Sequence, residues 1–358
     1  MNETIEGAPS RPGRARIEDV AAAAGVSVAT VSRAVRGLPN VAASTRERVN
    51  LVARQLGYRP DPVASRLAAG RARTVIVLVP HLSSWYFSNV VAGAEAVCAE
   101  AGYDFLILGV GSLDECHRLL NEGHHLERRA DGIILVNLPA TDDQVRSLVD
   151  RGVSISTVGY VVGGCPSVLV DDRAIGIAAA RHLAGLGHRR IGLISGMSDD
   201  PMNVEVPRLR YEGFVEGLGH HGLTLEPELV ASGSFGIDGG SEAMTTLLAA
   251  PEPPTAVFAM SDEMAFGALM VLDQHGLRAG RDISLIGVDD PEFAKVVGLT
   301  TIRQKVAEQG AAAARALLEL LERPRAGVDI EVQDAPVELV VRSTTAPPAT
   351  PPLVTPIS

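Results

Sequence analysis

From Arg73 onward the chain alternates short runs of aliphatic and β-branched residues with longer stretches of helical periodicity, and few folds accommodate that alternation. Val75-Ile76-Val77-Leu78-Val79 reads as a buried strand, residues 90–101 as a helix and residues 105–108 as a second strand. Strands at 132–136, 154–158 and 168–170 follow, with helices between them. The pattern begins again with strands at 191–194, 256–259 and 284–288, separated by helices around 175–186, 209–218, 241–248 and 264–275. Two consecutive halves of this kind predict an α/β body of two doubly wound parallel-sheet lobes, with a cleft where the strand C-termini converge. A last helix at 306–321 and a strand at 337–341 predict that the chain re-crosses between the lobes. Residues 343–358, rich in Pro and Thr, read as a disordered tail.

Ahead of this body lies a small helical unit. Residues 1–15 read as a disordered arm and residues 17–24 as a helix, with Arg16 a poor residue for its N-cap. Gly25 suits a stop and Ser27 an N-cap for the helix that follows, Val28 to Arg36. At about 100° per residue, Val28, Ala29, Ser32, Arg33 and Arg36 share one face spanning about 140°, while Val31, Ala34 and Val35 take the other. Small side chains and two arginines outside, with an apolar back, suit the major groove of DNA. A third helix ends near Leu56, where Val49, Val52, Ala53 and Leu56 supply an apolar stripe. Ser44-Thr45-Arg46-Glu47 matches a capping box. Residues 60–72 allow about two turns of helix, from an Asp61 cap to Gly70, too short to be stable alone in water.

Charge separates the same two parts. The net charge of the 358 residues is −11, which argues against nucleic acid until its distribution is seen. Residues 1–73 carry twelve Arg against six acids, a net of +6, and the remainder carries −17. A basic head on an acidic body fits a DNA-binding unit joined to a sensing unit. Hydrophobic content of 46% excludes wholesale disorder, and no apolar run reaches the roughly 18 residues of a membrane span. The first fifteen residues lack an apolar segment, so no secretory signal is expected. Three cysteines, Cys98, Cys116 and Cys165, at no metal-like spacing, read as reduced thiols in a cytoplasmic protein. No cofactor or metal is expected.

Together these residues resemble the lactose/galactose repressor (LacI/GalR) family of bacterial transcription regulators, over residues 17–342. Asp19-Val20-Ala21, Gly25-Val26-Ser27, Ala29-Thr30-Val31-Ser32-Arg33, Thr45-Arg46-Glu47-Arg48-Val49 and Leu56-Gly57-Tyr58-Arg59-Pro60 carry the likeness in the head. In the body it rests on Leu186-Gly187-His188-Arg189-Arg190-Ile191, Gly213-Phe214, Ser261-Asp262-Glu263-Met264-Ala265-Phe266-Gly267-Ala268, Ile286-Gly287-Val288-Asp289-Asp290 and Leu299-Thr300-Thr301-Ile302-Arg303-Gln304. The resemblance implies a helix-turn-helix headpiece at 16–59, a hinge helix at 60–72 and a periplasmic-binding-protein-like sensor at 73–342. It implies a homodimer, most simply a repressor, on a pseudo-palindromic operator. Arg16 and Ala42 depart from the family's Thr and Ser, two lost caps of about 1 kcal/mol each. The Ser44/Glu47 box is the candidate replacement for the second.

By the same resemblance Val28, Ala29 and Arg33 read bases, Arg33 through two hydrogen bonds to guanine O6 and N7. Thr30, Ser32, Arg36 and Asn40 hold phosphates, Ser27 and Tyr58 complete the DNA-facing set, and Leu67 is a wedge pushed into the minor groove. For the sensor it implies Asp289, Arg210 and Ser261 as ligand contacts. Ser84-Trp85-Tyr86-Phe87, standing where the family has Asn-Pro-Phe-Phe, supplies an aromatic wall of Trp85, Tyr86 and Phe87. The expected effector is a small molecule, a sugar or sugar derivative; a nucleobase or nucleoside is the alternative, and a global regulator with a protein co-effector the third reading. An enzyme is disfavoured because the chain has no Gly-x-Ser-x-Gly elbow, phosphate loop or metal motif.

Overall fold

The computed structural model describes residues 15–58, 72–122, 126–196, 202, 205–322 and 332–349. The proposed N-terminal arm up to residue 14 and the proposed hinge from 59 to 71, including Leu67, lie outside the described residues. Contacts divide the chain into a head, residues 1–72, and a body, residues 73–358.

The head is three helices, α1 (Ile17–Ala24), α2 (Val28–Val35) and α3 (Ala43–Gln55), around Val20, Ala24, Val31, Ala34, Val49 and Ala53. Gly25 adopts φ +62, and the Val26 N–H turns back to Ala21 O at 3.1 Å, ending α1 in the left-handed turn that glycine takes without strain. Although Arg16 offers no side-chain acceptor, its own N–H donates to Asp19 Oδ2 at 2.7 Å, so Asp19 closes the start of α1. The capping box expected at Ser44 and Glu47 does not form. Arg46 N–H reaches Ala42 O at 3.0 Å, so α3 begins two residues earlier and Ser44 already lies inside it. Ala42 is an N-cap without a side-chain hydrogen bond. The loop before α3 is fastened from elsewhere, by Arg46 Nη2 to Leu38 O at 2.7 Å.

The body contains two six-stranded sheets. The first runs β11-β5-β4-β3-β1-β2 and the second β12-β10-β9-β8-β6-β7. Strands β1 (Thr74–Val79), β2 (Asp104–Gly109), β3 (Gly132–Val136), β4 (Ser154–Val158) and β5 (Ser167–Val170) alternate with helices α4 (Trp85–Glu100), α5 (Leu113–Asn121) and α6 (Asp142–Asp150). The chain then enters the second lobe through α7 (Asp172–Gly185), β6 (Ile191–Ser195), α8 (Glu205–Gly219), β7 (Val230–Ser232), α9 (Ile237–Leu248) and β8 (Ala256–Ala259). That lobe is completed by α10 (Asp262–Gln274), β9 (Ser284–Asp289), α11 (Glu292–Val296) and β10 (Thr300–Gln304). Helix α12 (Val306–Glu322) returns to the first sheet, where Ser156 Oγ donates to Ala313 O at 2.9 Å. Strand β11 (Val332–Ala335) extends that sheet in parallel with β5, and β12 (Val337–Val340) goes back to pair antiparallel with β10. The chain thus crosses between lobes three times. Strands β1, β3, β6, β8 and β9 are buried along their whole length, the signature of sheets covered on both faces.

The tail reading is corrected for residues 343–349. Thr344 and Thr345 are buried. Thr344 O accepts from Leu285 N at 2.7 Å, and Thr344 Oγ1 accepts from Thr300 N at 2.8 Å. His188 Nε2 lies 2.9 Å from Ala346 O, and His182 Nε2 3.0 Å from Thr345 Oγ1. Threonine and serine hydroxyls here satisfy backbone groups at the starts of β9 and β10, so a polar composition serves a packed segment.

Three helix pairs approach so closely that only hydrogen fits between them; in α9 and α10, a Cβ on Gly240 would lie 2.2 Å from Met264 O and one on Gly267 2.0 Å from Ile237 O. In α7 and α8, a Cβ on Gly176 would lie 2.2 Å from Arg210 O and one on Gly213 2.0 Å from Arg173 O. In α4 and α12, Gly93 would meet Ala307 O at 1.9 Å and Gly310 would meet Val90 O at 1.9 Å. Gly213→Ala is expected to lower stability by about 1–3 kcal/mol or more, seen as a fall in the urea midpoint. Gly219→Ala at the end of α8, where an added Cβ meets nothing within 4 Å, is expected to leave the midpoint unchanged or raised.

Candidate functional site

The head presents a helix whose two faces are sharply different. Val31 and Ala34 are buried, while Ser27, Val28, Ala29, Arg33 and Arg36 are exposed; Thr30 and Ser32 are half-buried. Ser27 Oγ accepts from Thr30 N–H at 3.2 Å, capping α2 and fixing its entry angle. Arg36 folds back on its own helix, with Nη2 on Ser32 Oγ at 2.8 Å and Nε on Ser32 O at 3.1 Å. Arg33 makes no such bond among the described residues, so its guanidinium is available to an external acceptor. Asn40 lies at φ +69 in the exposed loop before α3, and Tyr58 is half-buried against the core of the head.

In the body, side chains from both lobes and from the crossing segments enclose a cavity of about 350 Å³. The first lobe contributes His81, Ser84, Tyr86, Phe87 and Asn137. Asp172, Arg210, Phe235, Ser261, Glu263 and Asp289 come from the second, and Gln304 and Gln309 from either side of a crossing. The close contact of α7 with α8 places Asp172, in the first turn of α7, against Arg210, whose Nε donates to Asp172 Oδ1 at 2.8 Å. The contact of α4 with α12 does the same for Tyr86, whose hydroxyl donates to Gln309 Oε1 at 3.1 Å. Gln309 Nε2 continues to Gln304 Oε1 at 3.4 Å, and Gln304 Nε2 to Asp289 Oδ1 at 2.9 Å. One chain of hydrogen bonds therefore joins the first-lobe tyrosine to the second-lobe aspartate.

Asp289 is held in an uncommon backbone geometry, with φ +126, followed by Asp290 at φ +66. Such residues cost about 1–3 kcal/mol each and persist where their surroundings determine them. Here Asp290 sits between Arg303 Nε at 2.7 Å and Arg342 Nη2 at 2.6 Å, and its N–H donates to Asp262 Oδ2 at 2.9 Å. Thr301 Oγ1 donates to the same carboxylate at 2.8 Å. Burial pushes Asp262 up to about 7. Burial also raises Asp289 well above the ordinary carboxylate range, opposed by Arg210 and reinforced by the charges of Asp262 and Glu263. Asp172 is raised by burial, with Arg210 opposing. Glu263 is raised by burial too, although Ser84 Oγ donates to it across the lobes at 3.2 Å.

Asp289, Arg210, Ser261, Tyr86 and Phe87 therefore come together around one cavity, and Trp85 does not join them. Helix α4 starts at Trp85, so three consecutive residues project about 100° apart; the indole packs against the core of the first lobe instead. Ser261 lines the cavity while its Oγ caps α10, accepting from Met264 N–H at 3.3 Å. Asp172, Glu263, Asn137, Gln304, Gln309 and Phe235 were not singled out from the sequence. Glu263 and Gln304 lie inside motifs that carried the resemblance, and Asp172 lies two residues past the end of β5, a position where ligand groups gather.

Because the folded chain retains a proton on Asp262 that an unfolded chain releases above pH about 4, stability is expected to fall as pH rises from about 4 to 7. Asp262→Asn is expected to flatten that decline, measured as urea midpoints across the window; Asp289, raised in the same direction, retains part of it.

Comparison with known proteins gives the family. Residues 16–61 match the model for bacterial regulatory proteins of the lacI family, and residues 180–345 match a periplasmic binding protein-like domain. The HTH-type transcriptional repressor CytR of Escherichia coli strain K12 is 33% identical over 341 residues, covering 92% of this chain and 96% of the relative. Among solved structures, the Lac repressor dimer bound to operator and the anti-inducer ONPF superposes with a TM-score of 0.79. It is 28% identical and covers 93% of this chain and 99% of the other. The transcriptional regulator CelR in complex with cellobiose is 30% identical with a TM-score of 0.66, over 92% and 100% of the two chains. The chain belongs to the lacI family of DNA-binding transcription repressors.

Proposed function

We propose that this protein is an effector-controlled repressor, not an enzyme, that binds a pseudo-palindromic operator as a homodimer in the cytoplasm and responds to a sugar or sugar derivative. The observation that carries the reading is the cavity itself, because its walls come from both lobes and two of the crossing residues. A ligand filling it contacts both lobes and so favours one lobe arrangement over another. Any such preference couples to the operator reciprocally, each ligand changing the other's affinity by the same factor.

The chemistry of the walls supports a hydroxyl-rich effector. Carboxylates and amides accept and donate to hydroxyls, and the Tyr86, Phe87 and Phe235 rings offer faces to the C–H surface of a sugar. CelR, a structural neighbour, has cellobiose in its complex. A nucleoside is the second reading, favoured by Phe87 from one lobe and Phe235 from the other, which would receive a flat base. Among the described residues no helix is long and apolar enough to cross a membrane. Helix α11 leaves Phe293 and Val296 71% and 80% exposed, an apolar surface of the kind that a partner subunit covers.

On DNA, Arg33 supplies the directional base contact, Val28 and Ala29 the apolar ones, and Leu67 the minor-groove wedge. Ser27, Thr30, Ser32, Asn40 and the Arg36 held by Ser32 are phosphate-side residues. Arg33→Ala is expected to cost about 1–3 kcal/mol of operator affinity and to relax one base position in each half-site, read by band shifts on a library of half-site variants. A thermal-shift screen of sugars and nucleosides is expected to yield a stabilising compound whose effect disappears in Asp289→Ala. Persistence of the shift in that variant removes Asp289 from the site.

A further inference from the structure

Resting on the reading of the cavity as an effector site, the inventory of its hydrogen-bonding groups narrows the effector. The ionisable side chains that line it include three carboxylates, Asp172, Glu263 and Asp289, against one guanidinium, Arg210. Two of its donors are already engaged, Nε by Asp172 at 2.8 Å and Nη1 by Met260 O. Neither of the other two carboxylates forms an ion pair among the described residues, although Arg210 lies near enough to oppose the shift of Asp289. Asp289 is 94% buried by side-chain surroundings (6% exposed); one oxygen accepts from Gln304, and the other has no hydrogen-bond partner there.

Two further groups point the same way, although His81 and the serine hydroxyls of the wall can also donate. The relay from Tyr86 to Asp289 runs in one direction, donor to acceptor, so the tyrosine has given its proton to Gln309 and turns only lone pairs outward. Asn137 Oδ1, at the end of β3, is buried with no hydrogen-bond partner. Its neighbour Gly159 leaves it space, since a Cβ there would lie 2.1 Å from that oxygen. An orphaned buried acceptor costs about 1–3 kcal/mol, and this one marks an acceptor-rich wall although it exposes no surface to the cavity. The site therefore asks for several N–H or O–H donors and for positive charge. A phosphate or carboxylate ligand would add to the excess of negative charge.

We infer that the effector carries a protonated amine on a hydroxylated frame, as an amino sugar does, with the ammonium held between Asp289 and Glu263 and hydroxyl groups reaching Tyr86. An ammonium supplies three donors at one point and neutralises the pair that burial otherwise penalises. The burial-raised carboxylates are consistent with this, since each becomes easier to ionise when the cation arrives.

The test is calorimetric titration of the full-length protein with amino-hexoses of gluco, galacto and manno configuration. Each is matched with its parent hexose and its N-acetyl form, and adenosine is included. The expected result is that one amino-hexose binds at least about tenfold more tightly than its two uncharged counterparts. Raising the pH through the amine's own pKa is expected to erase the advantage, and Asp289→Asn to reduce it. Tighter binding of a parent hexose, an N-acetyl form or adenosine overturns the amine while leaving the effector site intact. If nothing in the panel binds, the amine and the sugar reading fall together.

Discussion

The arrangement of the sensor depends on backbone touching backbone where α7 meets α8 and where α4 meets α12. Glycines at both sides of each contact remove the side chain that would hold the helices apart. Each contact also presents one functional pair, Asp172 with Arg210 in the first case and Tyr86 with Gln309 in the second. Helix packing at this separation is stiff, because no flexible side chain stands between the axes to absorb a shift. The cavity is thus framed by the parts of the body least able to yield, while the two lobes meet through hydrogen bonds that can be exchanged for those of a ligand.

Much of this was legible in the sequence, and for identifiable reasons. Strands β3, β4 and β8 coincide with their apolar runs, since strands covered on both faces contrast strongly with polar connections. Val31 and Ala34 inside and Arg33 outside follow directly from helical periodicity in α2. Asp289 was reached through a motif that places it at a strand end, and Arg210 through its spacing from the Gly213-Phe214 pair inside a helix. Asn137 was not, because a single polar residue after an apolar strand looks like any loop entry. Trp85 was misplaced because an aromatic run suggests a wall, whereas the position of the helix start decides which ring faces inward. The capping box at Ser44 failed on a two-residue shift that a backbone hydrogen bond determines and a local motif does not record.

Acidic groups in the body are handled in two ways. Asp290 is neutralised where it stands, between Arg303 and Arg342, and fixes the backbone turn that aims Asp289. The buried Asp289 and the half-buried Glu263 form no ion pair among the described residues. A buried carboxylate of the second kind destabilises the chain at neutral pH, and a binding site is the usual place for a protein to tolerate that cost. The contrast between two adjacent residues, Asp289 and Asp290, separates the part of the turn that supports from the part that awaits a partner.

The three crossings have a consequence for how the molecule is made. The first sheet gains its outer strand only from β11 and one of its covering helices only from α12. The second sheet is closed by β12 and by Thr344 and Ala346, which occupy the starts of β9 and β10. Every one of these pieces lies after residue 305. During synthesis the head, whose contacts are local, is complete before any of the body has its last partner. Neither lobe can finish until nearly the whole chain has left the ribosome. A newly made head is therefore free to meet DNA before a sensor exists to govern it, and the interval is set by the translation of the body, which is most of the chain, and the closure of the longest-range pairings in the fold.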